Sequence, residues 1–249
     1  MSADLDKTRL AIVCPMANER ATAVGFVRQM LDYAAPLRQV HFIAVLDHAS
    51  TDGTLELLRD YARREPRLQV LWAPEDRCVV DAYIAGYREA LKTGFEWILE
   101  VDAGLSHQPQ DLPRFLAALG PGVDCVFGSR FCPGGRITDT PWKRRLFSRG
   151  GTILANLMLG TRLTDMTSGY ELFRRDALEY VLKRGIRSRG HFFQTEIKFH
   201  CRGLRVVEVP IHYRAASPSV HAATLCDAFR NLLRLFRQRI AAPRPQTRP

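Results

Sequence analysis

The residues best placed to do chemistry in this chain are acidic and basic side chains that directly follow short apolar runs. Asp102 closes the run Trp97-Ile98-Leu99-Glu100-Val101. A carboxylate there faces whatever binds beyond the run. A magnesium or manganese ion on a diphosphate needs only one or two such ligands, because phosphate oxygens and water complete its shell. Asp47 closes a second run and can accept hydrogen bonds from a base or a ribose, whereas Asp52-Gly53-Thr54 after it reads as turn and cap chemistry. Arg130 ends Gly128-Ser129-Arg130, and Arg144 and Arg145 follow beyond Gly134-Gly135. The planar guanidinium fork matches phosphate oxygens in pairs. A lone charged residue of this kind is usually a solvated surface group. Four polar clusters, at 15–19, 47–54, 102–107 and 128–130, each at the end of an apolar run, describe a site.

The elements that must position these clusters can be read from periodicity. Strands are predicted at 10–14, 41–47, 68–72, 97–101 and 124–128, and helices at 22–33, 54–64, 79–92 and 109–119. Such alternation predicts an α/β fold with a mostly parallel central sheet and helices on both faces. In such sheets ligands bind beyond the carboxyl ends of the strands, where all four clusters fall. The second half is less regular: helices are predicted at 144–159 and 192–201, and strands at 169–173 and 206–209.

Composition narrows the partners. The 249 residues are 46% hydrophobic and 25% charged, which is ordinary for a globular chain, and the formal net charge is +10. A basic surface favours nucleic acid, acidic lipid or phosphorylated substrate. No nucleic-acid-binding motif accompanies the charge, and aromatics are not interleaved in the basic stretches, so no nucleic-acid partner is expected. No run approaches the roughly 18 apolar residues of a membrane span, and the first nine residues lack the apolar stretch of a signal peptide, which places the body of the protein in the cytoplasm as an expectation. The six cysteines form no C-x-x-C pair or zinc-ligand pattern and read as reduced and structural.

The motifs now resemble a known family. Pro-x-x-Asn-Glu at 15–19, Asp-x-x-Ser-Thr-Asp-Gly-Thr at 47–54, Asp-Ala-x-Leu-Ser-His-x-Pro at 102–109 and Gly-Ser-Arg at 128–130 stand in the order of the dolichol-phosphate mannosyltransferase-like branch of glycosyltransferase family 2. Asp165-Met166-Thr167-Ser168-Gly169-Tyr170 is similar to a further motif, as are Phe193-Gln194-Thr195-Glu196 and Glu208-Val209-Pro210-Ile211. The resemblance spans about 9–214. It implies a GT-A fold, a nucleotide-sugar donor (GDP-mannose or a UDP-hexose), a polyprenyl-phosphate acceptor, a Mg2+ or Mn2+ ion and inversion at the sugar. It also implies that Pro15, Asn18, Glu19, Asp47, Arg77, Asp102 and Arg214 surround the nucleotide-sugar and that Asp102 holds the metal. Arg130, Arg144 and Ser148 would bind phosphates, and Gln194 and Glu196 would sit near the sugar or acceptor. With a hydroxyl acceptor, Asp165 or Glu196 would serve as base.

Two positions depart from the family pattern. The metal motif is usually Asp-Ala-Asp, and Gly104 stands at its second aspartate, so Glu100 or water is the expected substitute. The closing loop after Arg214 lacks the usual glycine and lysine. Residues 1–221 are read as the catalytic unit, 222–240 as an amphipathic helix and 241–249 as a disordered tail. In that helix Leu225, Phe229, Leu232, Leu233, Phe236 and Ile240 share a face among arginines. The pattern fits docking on an acidic membrane surface or a small membrane partner, or packing on the core. Competing readings are a soluble glycosyltransferase acting on a sugar or small-molecule hydroxyl, and a non-catalytic sugar-nucleotide-binding homologue.

Overall fold

The central strands are largely apolar because both of their faces are covered. In β1 (Arg9–Pro15), Leu10, Ile12 and Cys14 enter one core and Ala11 and Val13 the other. β2 (Gln39–Leu46) and β4 (Trp97–Glu100) divide the same way, since successive side chains alternate across a strand. The structure is a computed structural model describing residues 4–76, 78–104, 106–139, 142–214 and 222–241; the side chains of Lys143, Arg144 and 222–225 lie outside the description.

The seven-stranded sheet adds β3 (Leu68–Trp72), β5 (Cys125–Ser129), β7 (Glu171–Arg174) and β8 (Val206–Pro210), in the order β3-β2-β1-β4-β7-β5-β8. A second, two-stranded sheet pairs β6 (Arg136–Thr138) with β9 (His212–Arg214). One face of the large sheet is covered by α1 (Ala23–Tyr33), α2 (Thr54–Ala62) and α4 (Leu112–Ala117), the other by α3 (Val79–Lys92), α6 (Arg175–Arg184) and α7 (Phe193–His200). A smaller third core joins α5 (Trp142–Leu159) and α8 (Ala222–Ala241) to Met166 and Phe199.

The parallel α/β layout matches the expectation, with three differences. The strand expected at 169–173 is β7, and it runs antiparallel between β4 and β5. Its reversed direction brings the 165–170 segment to the edge where its parallel neighbours end. The helix expected at 109–119 is a 3-10 turn, Pro109–Asp111, followed by the short α4, because Pro113 is tolerated only in a first turn and Gly120 follows closely. Helix α6 was not expected, although Ala177, Leu178 and Val181 are buried at helical spacing.

The single apolar face expected of the C-terminal helix is split in two. Leu232 and Leu235 are buried against α5 and α7, whereas Phe229 and Ile240 face outward. Arg239 donates to the carbonyls of Leu157 and Met158 at the end of α5, and Arg234 reaches Glu196 on α7 at 2.7 Å. The helix is therefore docked on the body through one stripe. No helix among the described residues is long and apolar enough to cross a membrane.

Candidate functional site

The four polar clusters converge at one sheet edge, as their strand ends require. The first two loops are tied together. Asn18 adopts φ 59°, donates to the carbonyl of Ala49 at 2.6 Å and accepts the amide of Thr51 at 2.9 Å. Asp52 fixes the second loop by accepting from the amides of Arg20 and Thr54, both at 3.0 Å, so its reading as turn chemistry holds, whereas the N-cap of α2 is Gly53, with no side-chain cap bond. Asp47 turns one oxygen to the amide of Ala49 at 2.8 Å and remains half-buried at the mouth, with Pro15 at the end of β1 beside it.

Asp102 follows β4 directly. Its Oδ1 accepts the Tyr83 hydroxyl at 2.5 Å, and its Oδ2 lies 3.4 Å from His107 Nδ1. The side chain is nevertheless 40% exposed, so it is held in place yet open toward solvent. Burial drops the His107 pKa to about 4, which keeps the ring neutral near pH 7. Gln194, at the start of α7, packs so closely on Gly169 that a Cβ there would overlap its amide, and Asp102 Oδ2 lies 3.4 Å from the same point. Gln194 thus stands beside Asp102.

Behind Asp102 lies a buried polar layer. Glu100 accepts the Tyr87 hydroxyl and faces Gln194 Nε2 at 3.4 Å. Its burial, with Glu171 and Asp102 nearby, raises its pKa well above the carboxylate range. Glu171 pairs with Lys198, which also donates to the carbonyl of Ser168 at 2.6 Å. Burial outweighs the pull of Lys198 and lifts Glu171 to about 7. Glu100 is fully buried with its oxygens turned to Tyr87 and Gln194, so it presents nothing to a ligand, and the expectation that it replaces the missing metal aspartate is corrected.

Other residues of the expected site are engaged within the fold. Arg130 grips Asp165 with Nε to Oδ2 at 2.7 Å and Nη2 to Oδ1 at 2.8 Å, and Asp165 is fully buried. Burial alone would raise Asp165, and the guanidinium more than offsets it, holding the carboxyl below its usual range. Arg130 thus clamps the 165–169 segment through Nε and Nη2 while staying partly exposed. Glu196 is buried against the amides of Arg187 and Ser188 and against Arg234, facing away from Gln194 toward α8. Burial opposes its ionisation, but His200, Ser188 and Arg234 together bring it down to about 2. Both carboxylates named as alternative bases are consequently committed to structural bonds.

Ser148 lies half-buried on α5, whereas the side chain of Arg144 and all of Arg77 fall outside the described residues. Arg214 is exposed on β9; its amide donates to the carbonyl of Ser106 at 2.9 Å, which ties β9 to the Asp102 loop, and Tyr213 pairs with His107 there. The closing loop after it, 215–221, also lies outside the described residues. Sequence reasoning missed Tyr83 and the Glu171–Lys198 pair. Tyr83 and Tyr87 stand at i and i+4 on the buried face of α3, and nothing in that spacing shows which carboxylate their hydroxyls reach.

A mostly parallel sheet with an antiparallel strand inserted near its middle and a carboxylate loop after β4 defines a GT-A-type nucleotide-sugar transferase fold. The family profile described as "Glycosyl transferase family 2" matches residues 11–182, and the chain belongs to that family. It is 39% identical over 173 residues to the undecaprenyl-phosphate mannosyltransferase of Micrococcus luteus, covering 69% of this chain and 71% of that protein. It is 35% identical over 208 residues to the polyprenol monophosphomannose synthase of Mycolicibacterium smegmatis, covering 82% and 77%. In fold it is similar to glucosyl-3-phosphoglycerate synthase of Mycobacterium tuberculosis crystallised with Mn2+, uridine diphosphate and phosphoglyceric acid. The TM-score is 0.65 at 16% identity, over 96% of this chain and 80% of that one.

Proposed function

We propose that this protein is an inverting glycosyltransferase that moves mannose from GDP-mannose to a polyprenyl phosphate, with a UDP-hexose as the next candidate donor. The observation that carries this reading is Asp102, open to solvent yet anchored by Tyr83 and His107 at the mouth of the edge. It stands in a chain 39% identical to a protein named for mannosyl transfer to undecaprenyl phosphate.

The residues present fit a hard cation. Asp102 offers exposed oxygen, and Gly104, two residues on, sets no side chain of its own beside it. Asp102 would hold a Mg2+ or Mn2+ ion, which when bound screens the charge developing on the leaving diphosphate. The chain's own residues do the rest. The loops pinned together by Asn18 receive the nucleotide, with Pro15 and Asp47 toward the base and ribose. Tyr83 and His107 hold the Asp102 carboxylate in one orientation, and Gln194 beside it faces the sugar. The attacking oxygen of the acceptor phosphate is already anionic near neutral pH, because a second phosphate pKa lies near 6. No strong base is required, in keeping with the structural engagement of Asp165 and Glu196. Positioning supplies most of the rate.

A lipid acceptor brings the enzyme to a bilayer, and α5 with α8 offers a surface for it. Trp142, Leu146, Phe147 and Leu157 on α5, and Phe229 and Ile240 on α8, are exposed, with Phe147 at 70% and Leu157 at 74%. Exposed Arg145, Arg149, Arg230 and Arg237 lie among them. Apolar side chains interleaved with arginines suit peripheral attachment to the anionic, cytoplasmic leaflet. Substituting Phe229 and Ile240 by serine, which spares the buried Leu232 and Leu235, is expected to reduce partitioning onto anionic vesicles; unchanged partitioning refutes this surface.

The reaction itself is tested by pairing GDP-mannose, UDP-glucose, UDP-galactose and UDP-GlcNAc with a short polyprenyl phosphate in Mn2+, Mg2+ or EDTA. Metal-dependent mannosyl transfer to the lipid is expected. Nucleotide binding without transfer from any donor overturns the proposal.

A further inference from the structure

We infer that Glu19 supplies the second carboxylate of the cation site, filling in space the place that Gly104 vacates in sequence. The inference rests on the reading above, in which a divalent cation joins Asp102 to the donor diphosphate.

Gly104 lies two residues after Asp102 and has φ 76°, in the left-handed region where a side chain is strained. A Cβ built there would stand 2.8 Å from Glu19 Oε1 and 3.3 Å from Oε2. The Glu19 carboxylate thus occupies the space into which a side chain at 104 would project. The topology explains the meeting. Glu19 belongs to the loop after β1 and Asp102 to the loop after β4, and these strands are hydrogen-bonded parallel neighbours. Their following loops leave the sheet side by side. The buried Cys14 thiol, raised chiefly by burial, is raised further by both Asp102 and Glu19, so both charges lie near one point at the end of β1.

Glu19 is also held in place. Its amide donates to Thr54 Oγ1 at 2.9 Å, and its Oε2 accepts the Thr22 hydroxyl at 2.6 Å, leaving Oε1 as the oxygen nearest Gly104. Glu100, the other nearby acid, is fully buried and bonded to Tyr87 and Gln194. A Mg2+ or Mn2+ ion that keeps several waters needs one or two carboxylates, and Asp102 with Glu19 meets that requirement from two loops.

The test is calorimetric titration of GDP and of UDP into the full chain, in saturating Mn2+ and in EDTA. The readout is the factor by which Mn2+ tightens the nucleotide. Glu19→Gln keeps the shape and the Thr22 bond but removes the charge. It is expected to cut that factor at least about tenfold, the low end of what loss of a metal's outer-shell partner costs, and to weaken binding in EDTA far less than in Mn2+. The double variant Glu19→Ala/Gly104→Asp returns a carboxylate to the other loop, and aspartate tolerates the left-handed region better than most residues. It is expected to regain the Mn2+ factor. Equal weakening by Glu19→Gln in Mn2+ and EDTA makes Glu19 a nucleotide contact and overturns the inference, as does no change in either. Wild-type binding without any gain from Mn2+ removes the cation reading along with it, and no binding of either nucleotide overturns the proposed function itself.

Discussion

The Arg130–Asp165 pair gives the sharpest test of how this site is held. Asp165 is fully buried and accepts from Arg130 Nε and Nη2, from the Arg130 amide at 3.1 Å and from the Thr167 amide at 3.0 Å. Asp165→Asn keeps one acceptor oxygen but turns an NH2 group toward the guanidinium and removes its counter-charge. Removing one partner of a buried pair costs about 3–5 kcal/mol, because the other charge stays desolvated. Against a native stability of roughly 5–15 kcal/mol this is a large fraction. For a chain of this length each kcal/mol lowers the melting temperature by about 2–4 °C, so a drop of about 6–20 °C is expected by calorimetry. The acid limb should also flatten. The folded pKa of Asp165 lies below its unfolded value, so the pair's stabilisation is present above the unfolded pKa, about 3.9, and is lost as pH falls through the folded one. Replacing both residues by apolar ones, Arg130→Met/Asp165→Leu, should restore most of the stability. A loss below about 1 kcal/mol for Asp165→Asn in urea titrations, the worth of an exposed pair, would refute the clamp.

Three further outcomes follow from the same geometry. Tyr83→Phe removes one hydrogen bond to Asp102, typically worth about 1 kcal/mol, and should slow transfer roughly fivefold without unfolding the chain; unchanged kcat and Mn2+ dependence would show that Tyr83 does not position the carboxylate. His107, with its pKa near 4, should show no ring titration between pH 5 and 8 in NMR spectra, and a midpoint in that range would contradict its burial. Glu196→Gln should loosen α8, seen as faster amide exchange from 226 to 241, and should weaken the dependence of stability on pH. Glu196 is depressed to about 2, so its contribution is present above the unfolded pKa near 4.5 and is lost as pH falls toward 2.

Much of the fold was legible in the chain. Strands buried on both faces must be largely apolar, a buried acid such as Glu100 or Glu171 being admitted only with its partners, and helices packed on them must be apolar at helical spacing. The runs ending at Cys14, Asp47, Val101 and Gly128 therefore announced a parallel sheet and put four polar clusters at its ligand edge. The motif order announced the family, and the family profile matches. The direction of β7 was not legible, because a short apolar run carries no mark of its polarity and its partners are chosen by the sheet it joins. The C-terminal stripe likewise showed that α8 is amphipathic, but only α5 and Phe199 decide that Leu232 and Leu235 turn inward while Phe229 and Ile240 remain outside.

Charge partners are the clearest case. The sequence by itself established which acids and bases stand near the edge. It could not say that Arg130 is bound to Asp165, that Glu196 faces α8, or that Glu19 lies against Gly104, because those pairs are 35, 38 and 85 residues apart and meet only once strands and helices have packed. Composition and spacing determine what each segment is. Which ionised group neutralises which, and which carboxylate stays open to a ligand, is decided when burial makes an unpaired charge too costly to keep, and burial exists only in the folded chain.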